Sequence, residues 1–95
     1  MREAFEAART RLAEVETLLA DPAVVADRKQ FSQLSREHGS LSKRVTPYLQ
    51  FLEVEKGLAD AEAIASSGDK DMAELAREEL DTLKPRHEEL TRRLE

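Results

Sequence analysis

Near the start of the chain, apolar residues recur as Phe5, Ala8, Leu12, Val15 and Leu19, in alternating steps of three and four. A strand needs its apolar residues two apart, so this spacing predicts an amphipathic helix with a heptad seam. The run meets Asp21-Pro22, where proline disfavours helical geometry at the residue before it and supplies no N–H of its own. The first helix is therefore expected over about residues 2–20.

A second seam follows Asp27, whose carboxylate can cap the next N–H groups, with Gln30 completing a capping-box pattern. It reads Phe31, Leu34, His38, Leu41, Val45, Tyr48 and Leu52, then continues less strictly through Leu58, Ala61 and Ala65. Gly39 and Pro47 interrupt it without changing its phase, and both fall on the outward side. One helix over about 27–66, kinked near Pro47, is expected; two shorter helices broken at Thr46-Pro47 are the alternative. Ser66-Ser67-Gly68-Asp69 reads as a turn, with Gly68 suited to a left-handed helix end and Asp71 with Glu74 forming a capping-box pattern. The third seam is Met72, Ala76, Leu80, Leu83, His87, Leu90 and Leu94, with Pro85 off it. A helix over about 70–94 is expected, with a bend at Pro85.

No one of these helices can bury its stripe alone. Short turns between them predict antiparallel packing: an all-α fold, an elongated coiled-coil-like helical hairpin with a further helix laid along it. Leu41 and Leu83 are expected in its core, and the end near Gly68 is expected to be a two-helix tip with little core. A length of 95 residues suits one domain with one core. The composition agrees with helix: aromatics are 4% and Trp is absent, whereas sheets favour aromatic and β-branched residues.

Little in the sequence points to chemistry. There is no cysteine, hence no disulfide, thiolate metal ligand or thiol nucleophile, a composition compatible with the cytosol. No stretch approaches the length of a membrane span, and no signal peptide is visible. His38 and His87 lie on seams, but antiparallel pairing about Gly68 sets residue 87 opposite residue 49. That leaves His38 about 16 Å further along, so no shared ion is expected. Neighbouring carboxylates such as Glu53 with Glu55, or Glu78 with Glu79, point away from one another on a helix. Ser32, Ser35, Ser40 and Ser42 lack a Gly-flanked elbow, and there is no phosphate-binding glycine loop. No catalytic residue, metal or cofactor is expected.

The distribution of charge says more. The net charge is −5, which argues against general nucleic-acid binding. Residues 1–27 carry three basic and six acidic side chains, residues 28–52 five and one, residues 53–81 three and ten, and residues 82–95 four and three. Folded as a hairpin, the third segment makes an acidic tip, while Arg28, Lys29, Arg36, Lys43 and Arg44 make the near part of the middle helix basic. Such charge serves either solubility or docking. As a docking surface the tip offers Asp60, Glu62, Asp69, Asp71 and Glu74 to a partner that presents basic groups.

Leu18-Leu19-Ala20-Asp21-Pro22, then Val24, Val25 and Asp27, then Phe31 with Leu34-Ser35-Arg36-Glu37 and Leu41, form an ordered series. Asp71-Met72-Ala73-Glu74-Leu75-Ala76 with Glu79-Leu80 follows at a matching separation. Together they resemble the N-terminal domain of bacterial class I peptide chain release factors, more the type that reads UAA and UAG. The resemblance runs over nearly the whole chain. Gly39, Pro47 and Pro85 depart from it, interrupting what are long helices in that family. Neither the family's Gly-Gly-Gln loop, which promotes peptidyl-tRNA hydrolysis, nor its codon-reading Pro-x-Thr tripeptide occurs here. The resemblance thus implies a non-catalytic, cytoplasmic domain that is a piece of a longer termination factor. It also implies an arm reaching towards the ribosomal GTPase-associated region and stalk-base protein, taking part in dealings with the class II release factor GTPase. A self-associating coiled-coil adaptor is the alternative; a monomer in solution would favour the arm.

Overall fold

Four helices and no strands make up the computed structural model, which describes residues 1–95. They are α1 (Arg2–Leu19), α2 (Pro22–Ala26), α3 (Arg28–Ala65) and α4 (Lys70–Leu94). The all-α class and the three long helices match the seams. Both internal prolines lie inside helices, Pro47 in α3 and Pro85 in α4, so α3 is continuous through Thr46-Pro47. Each proline costs one backbone hydrogen bond, to the carbonyls of Lys43 and Asp81, and the unchanged phase of the apolar stripe holds the helix together across it.

The chain is organised as two compact units, Met1–Thr46 and Pro47–Glu95. In the first, Ala8 and Val15 of α1 meet Leu34, Leu41 and Val45 of α3, with Leu12, Leu18 and Leu19 packed around them. Side-chain contacts give the antiparallel sense, for residues 5 and 11 of α1 meet 44 and 37 of α3.

The segment expected as the first turn instead contains α2, which delivers Val24 into this core at 5% exposure. Asp21 caps it by accepting from the Ala23 amide at 2.9 Å, and Pro22 occupies the first turn, where its missing N–H costs nothing. Asp27 then ends α2 and opens α3, its carboxylate accepting from the Gln30 amide at 3.1 Å as the sequence predicts.

In the second unit the rest of α3 and α4 form an antiparallel hairpin. Gln50 meets Arg86, the Phe51 ring meets that of His87, and Gly57 lies against Leu83. Nearer the turn the core narrows to Ala61, Ala76 and Leu80, backed by Leu58 and Ala65. Buried apolar residues thus form clusters within each unit, where one core had been expected.

The seams need correction in places. Phe31 and Met72 are exposed, and Ala73 is buried in place of Met72. At the narrow end the small Ala61 and Ala76 pack together, and alanines let the backbones approach. Phe51 is buried more fully than Leu52, and Leu83 is only half-buried. No glycine has positive φ, so Gly68 does not take the left-handed form. Asp69, rather than Asp71, caps α4, accepting from the Met72 amide at 3.1 Å.

Candidate functional site

The acidic residues near the turn of the hairpin were singled out in the sequence, and Asp60, Glu62, Asp69, Asp71 and Glu74 are all exposed. They do not share one face. Asp60 and Glu62 flank the buried Ala61 on opposite sides of α3, because residues two apart on a helix diverge by about 200°. The Asp69 carboxylate is engaged as a cap. Glu74 lines a surface hollow of about 420 Å³ with Ser67, Lys70, Ala73 and Arg77, so two cations temper its field.

Asp71 and Glu74 do belong together, in a stripe that extends to Glu78 and Asp81. Spacings of three and four keep these four within about 80° on the side of α4 away from Ala73, Ala76 and Leu80. Their mutual repulsion has no structural use inside the hairpin. At the same end Ile64, Met72 and Leu75 are exposed apolar residues, Leu75 the most at 59%. Sequence reading missed them as surface features, since Met72 sat on a seam; Leu75, off every seam, was the available signal.

The first unit carries a contrasting arrangement. Glu37, the one acidic residue between 28 and 52, is paired with Arg11 in a fork: Arg11 Nε and Nη2 donate to its two oxygens at 2.8 and 2.9 Å. Arg11 Nη1 also donates to Glu14 at 3.2 Å. The hydrogen bonds from Arg11 hold the Glu37 carboxyl below its ordinary value, and those to Glu37 and then Glu14 hold the Arg11 guanidinium above its own. The Arg44 guanidinium sits 5.9 Å from the centre of the Phe5 ring.

The two histidines have local partners. His38 Nε2 lies 3.9 Å from a Glu16 oxygen, and the His87 and Phe51 rings are 5.0 Å apart. No group of three or more His, Asp and Glu is placed to hold a metal, and no helix is long and apolar enough to cross a membrane. What the arrangement offers is charged surface for binding.

Comparison with known proteins agrees with the residues that carried the resemblance. The PCRF domain family matches over residues 8–95. Peptide chain release factor 1 of Enterococcus faecalis is 38% identical over 95 residues, which are 99% of this chain and 27% of that protein. The factor of the same name from Streptococcus agalactiae is 40% identical over 92 residues, 95% of this chain and 26% of the relative. That of Parabacteroides distasonis is 44% identical over 78 residues, 81% and 21% respectively. The chain therefore spans about a quarter of the length of the curated relatives it matches. No solved structure matches.

Proposed function

The chain belongs to the PCRF domain family, and on that footing we propose that it is the non-catalytic helical docking domain of a translation termination factor that directs peptide release at UAA and UAG. The Gly-Gly-Gln and Pro-x-Thr elements are absent from these residues, so hydrolysis and codon reading belong to other parts of such a factor. The domain's part is to hold a surface out to the ribosome, towards the GTPase-associated region with its stalk-base protein, and to the class II release factor.

The observation that carries the docking surface is the exposed acidic stripe Asp71, Glu74, Glu78 and Asp81 along one side of α4. It does nothing for the hairpin core and suits a partner presenting basic groups. Opposed fields of this kind raise association rates and their salt sensitivity, while each exposed pair adds only about 0–1 kcal/mol. Asp69 is left out of the test because it caps α4.

The test places D71K, E74K, E78K and D81K together in the intact release factor and measures association with stop-programmed ribosomes at two salt concentrations. Slower association with a flatter salt dependence is expected; an unchanged rate at both salts rules the acidic surface out. A dimer of the chain persisting at micromolar concentration in the ultracentrifuge would instead favour a self-associating adaptor.

A further inference from the structure

The outward face of the first part of α3 is unlike the rest of the molecule. Lys29, Arg36 and Lys43 recur every seven residues and therefore fall within about 40° of one another around the helix, about 10.5 Å apart along it. All three are exposed, on the side away from the buried Leu34, Leu41 and Val45. Ser32, Gln33 and Ser40 fill the same face between them and are exposed as well. The Arg36 guanidinium donates to Ser32 Oγ at 3.2 Å, which lays it along the stripe.

The only acidic residue of residues 28–52 is drawn off by Arg11, so no carboxylate of this helix segment neutralises the face. The three cations are therefore available to an anionic partner about 21 Å long, the span of fourteen residues.

We infer that this face binds the phosphate backbone of RNA, through Lys29, Arg36 and Lys43 as cationic contacts and Ser32, Gln33 and Ser40 as hydrogen-bonding ones. An acidic protein would meet the same charge, but protein interfaces concentrate their affinity in buried aromatic and apolar anchors. This face has none: the exposed Phe31 and Leu49 lie on other sides of the helix. Backbone recognition of nucleic acid needs only cations with hydroxyl and amide groups at intervals. The net charge of −5 argues against binding spread over the whole chain and leaves the interaction to the one local face where the charge is reversed. The inference stands apart from the termination reading, since it concerns naked RNA.

The test measures anisotropy of a labelled RNA stem-loop of mixed sequence titrated with the full chain. Three phosphate contacts predict a fall in affinity of about 20- to 40-fold between about 50 mM and about 200 mM salt. K29Q/R36Q/K43Q replaces three exposed cations by another good helix former, and circular dichroism checks its helicity. It is expected to lose both the affinity and the salt dependence. R77Q/R92Q/R93Q makes the same change of charge elsewhere and is expected to keep both, while K29R/K43R is expected to bind as the parent does. Equal losses in the two triple variants, no binding by the parent at low salt, or displacement of the RNA by polyglutamate as readily as by unlabelled RNA would each overturn the inference.

Discussion

Glu37 shows how one side chain can serve both packing and surface charge. Its fork with Arg11 ties α1 to α3 and removes the one negative charge from an otherwise basic segment. Because its folded carboxyl titrates below the ordinary 4.5, the stability it contributes is complete above that value and is lost as pH falls through the lower, folded one. Arg11, shifted upward, contributes at every pH below its ordinary value and does not shape this window. E37Q is therefore expected to melt at a lower temperature than the parent at pH 7, and the two should converge as pH is lowered to about 2; a constant gap would show that the pair titrates normally. Burial separates the two seam leucines. L41A is expected to cost about 2–4 kcal/mol and L83A about 1–2 kcal/mol, because Leu41 is 9% exposed and Leu83 half-buried. S67A, at the turn, should stay within about 0.5 kcal/mol. Urea melts measure all three, and equal losses would mean that the buried face lies elsewhere. Both leucines could be placed on the seam from spacing alone. How deeply Leu83 is buried could not, because that depends on the facing residue, Gly57.

At the scale of the element, glycines and prolines inside the long helices are the weak points. Gly39 has no atom within 4 Å of where a Cβ would stand and no positive φ, so G39A is expected to stabilise the chain by about 0.5–1 kcal/mol through lower backbone entropy in the unfolded state. At Gly57 the new methyl would come within 3.2 Å of Leu83 Cδ1, and part of the same gain goes to moving that side chain. Chemical denaturation of the two variants should rank G39A above G57A; the reverse order would show that Leu83 has room to spare. The sequence carried the long helices clearly, since 38 and 25 residues of consistent phase outweigh a single proline in each. It did not carry α2, because five residues are too few to show a period and Pro-Ala-Val-Val-Ala between two aspartates reads equally as a turn. Nor did it separate Asp69 from Asp71 as the cap, since both stand where a carboxylate can reach free amides.

At the scale of the whole molecule, the order of charge along the chain was legible and its grouping into faces only partly so. Ten acidic residues between 53 and 81 are a matter of counting. That four of them line one side of α4 while Asp60 and Glu62 diverge depends on the helical register. The division of the chain at Thr46 and Pro47, inside a single helix, bears on how the molecule opens. Proline leaves the Lys43 carbonyl without its amide partner, so the ladder of α3 is interrupted where the two sets of packing partners change over. Amide hydrogen exchange should register α3 as two blocks: residues 28–46 exchanging together with α1, and residues 48–65 with α4. L41A should speed exchange in the first block and leave the second protected, and L80A should do the converse; loss of protection along all of α3 in either variant would mean that the helix opens as one. A helix continuous in form would then belong, in its fluctuations, to two separate cooperative bodies.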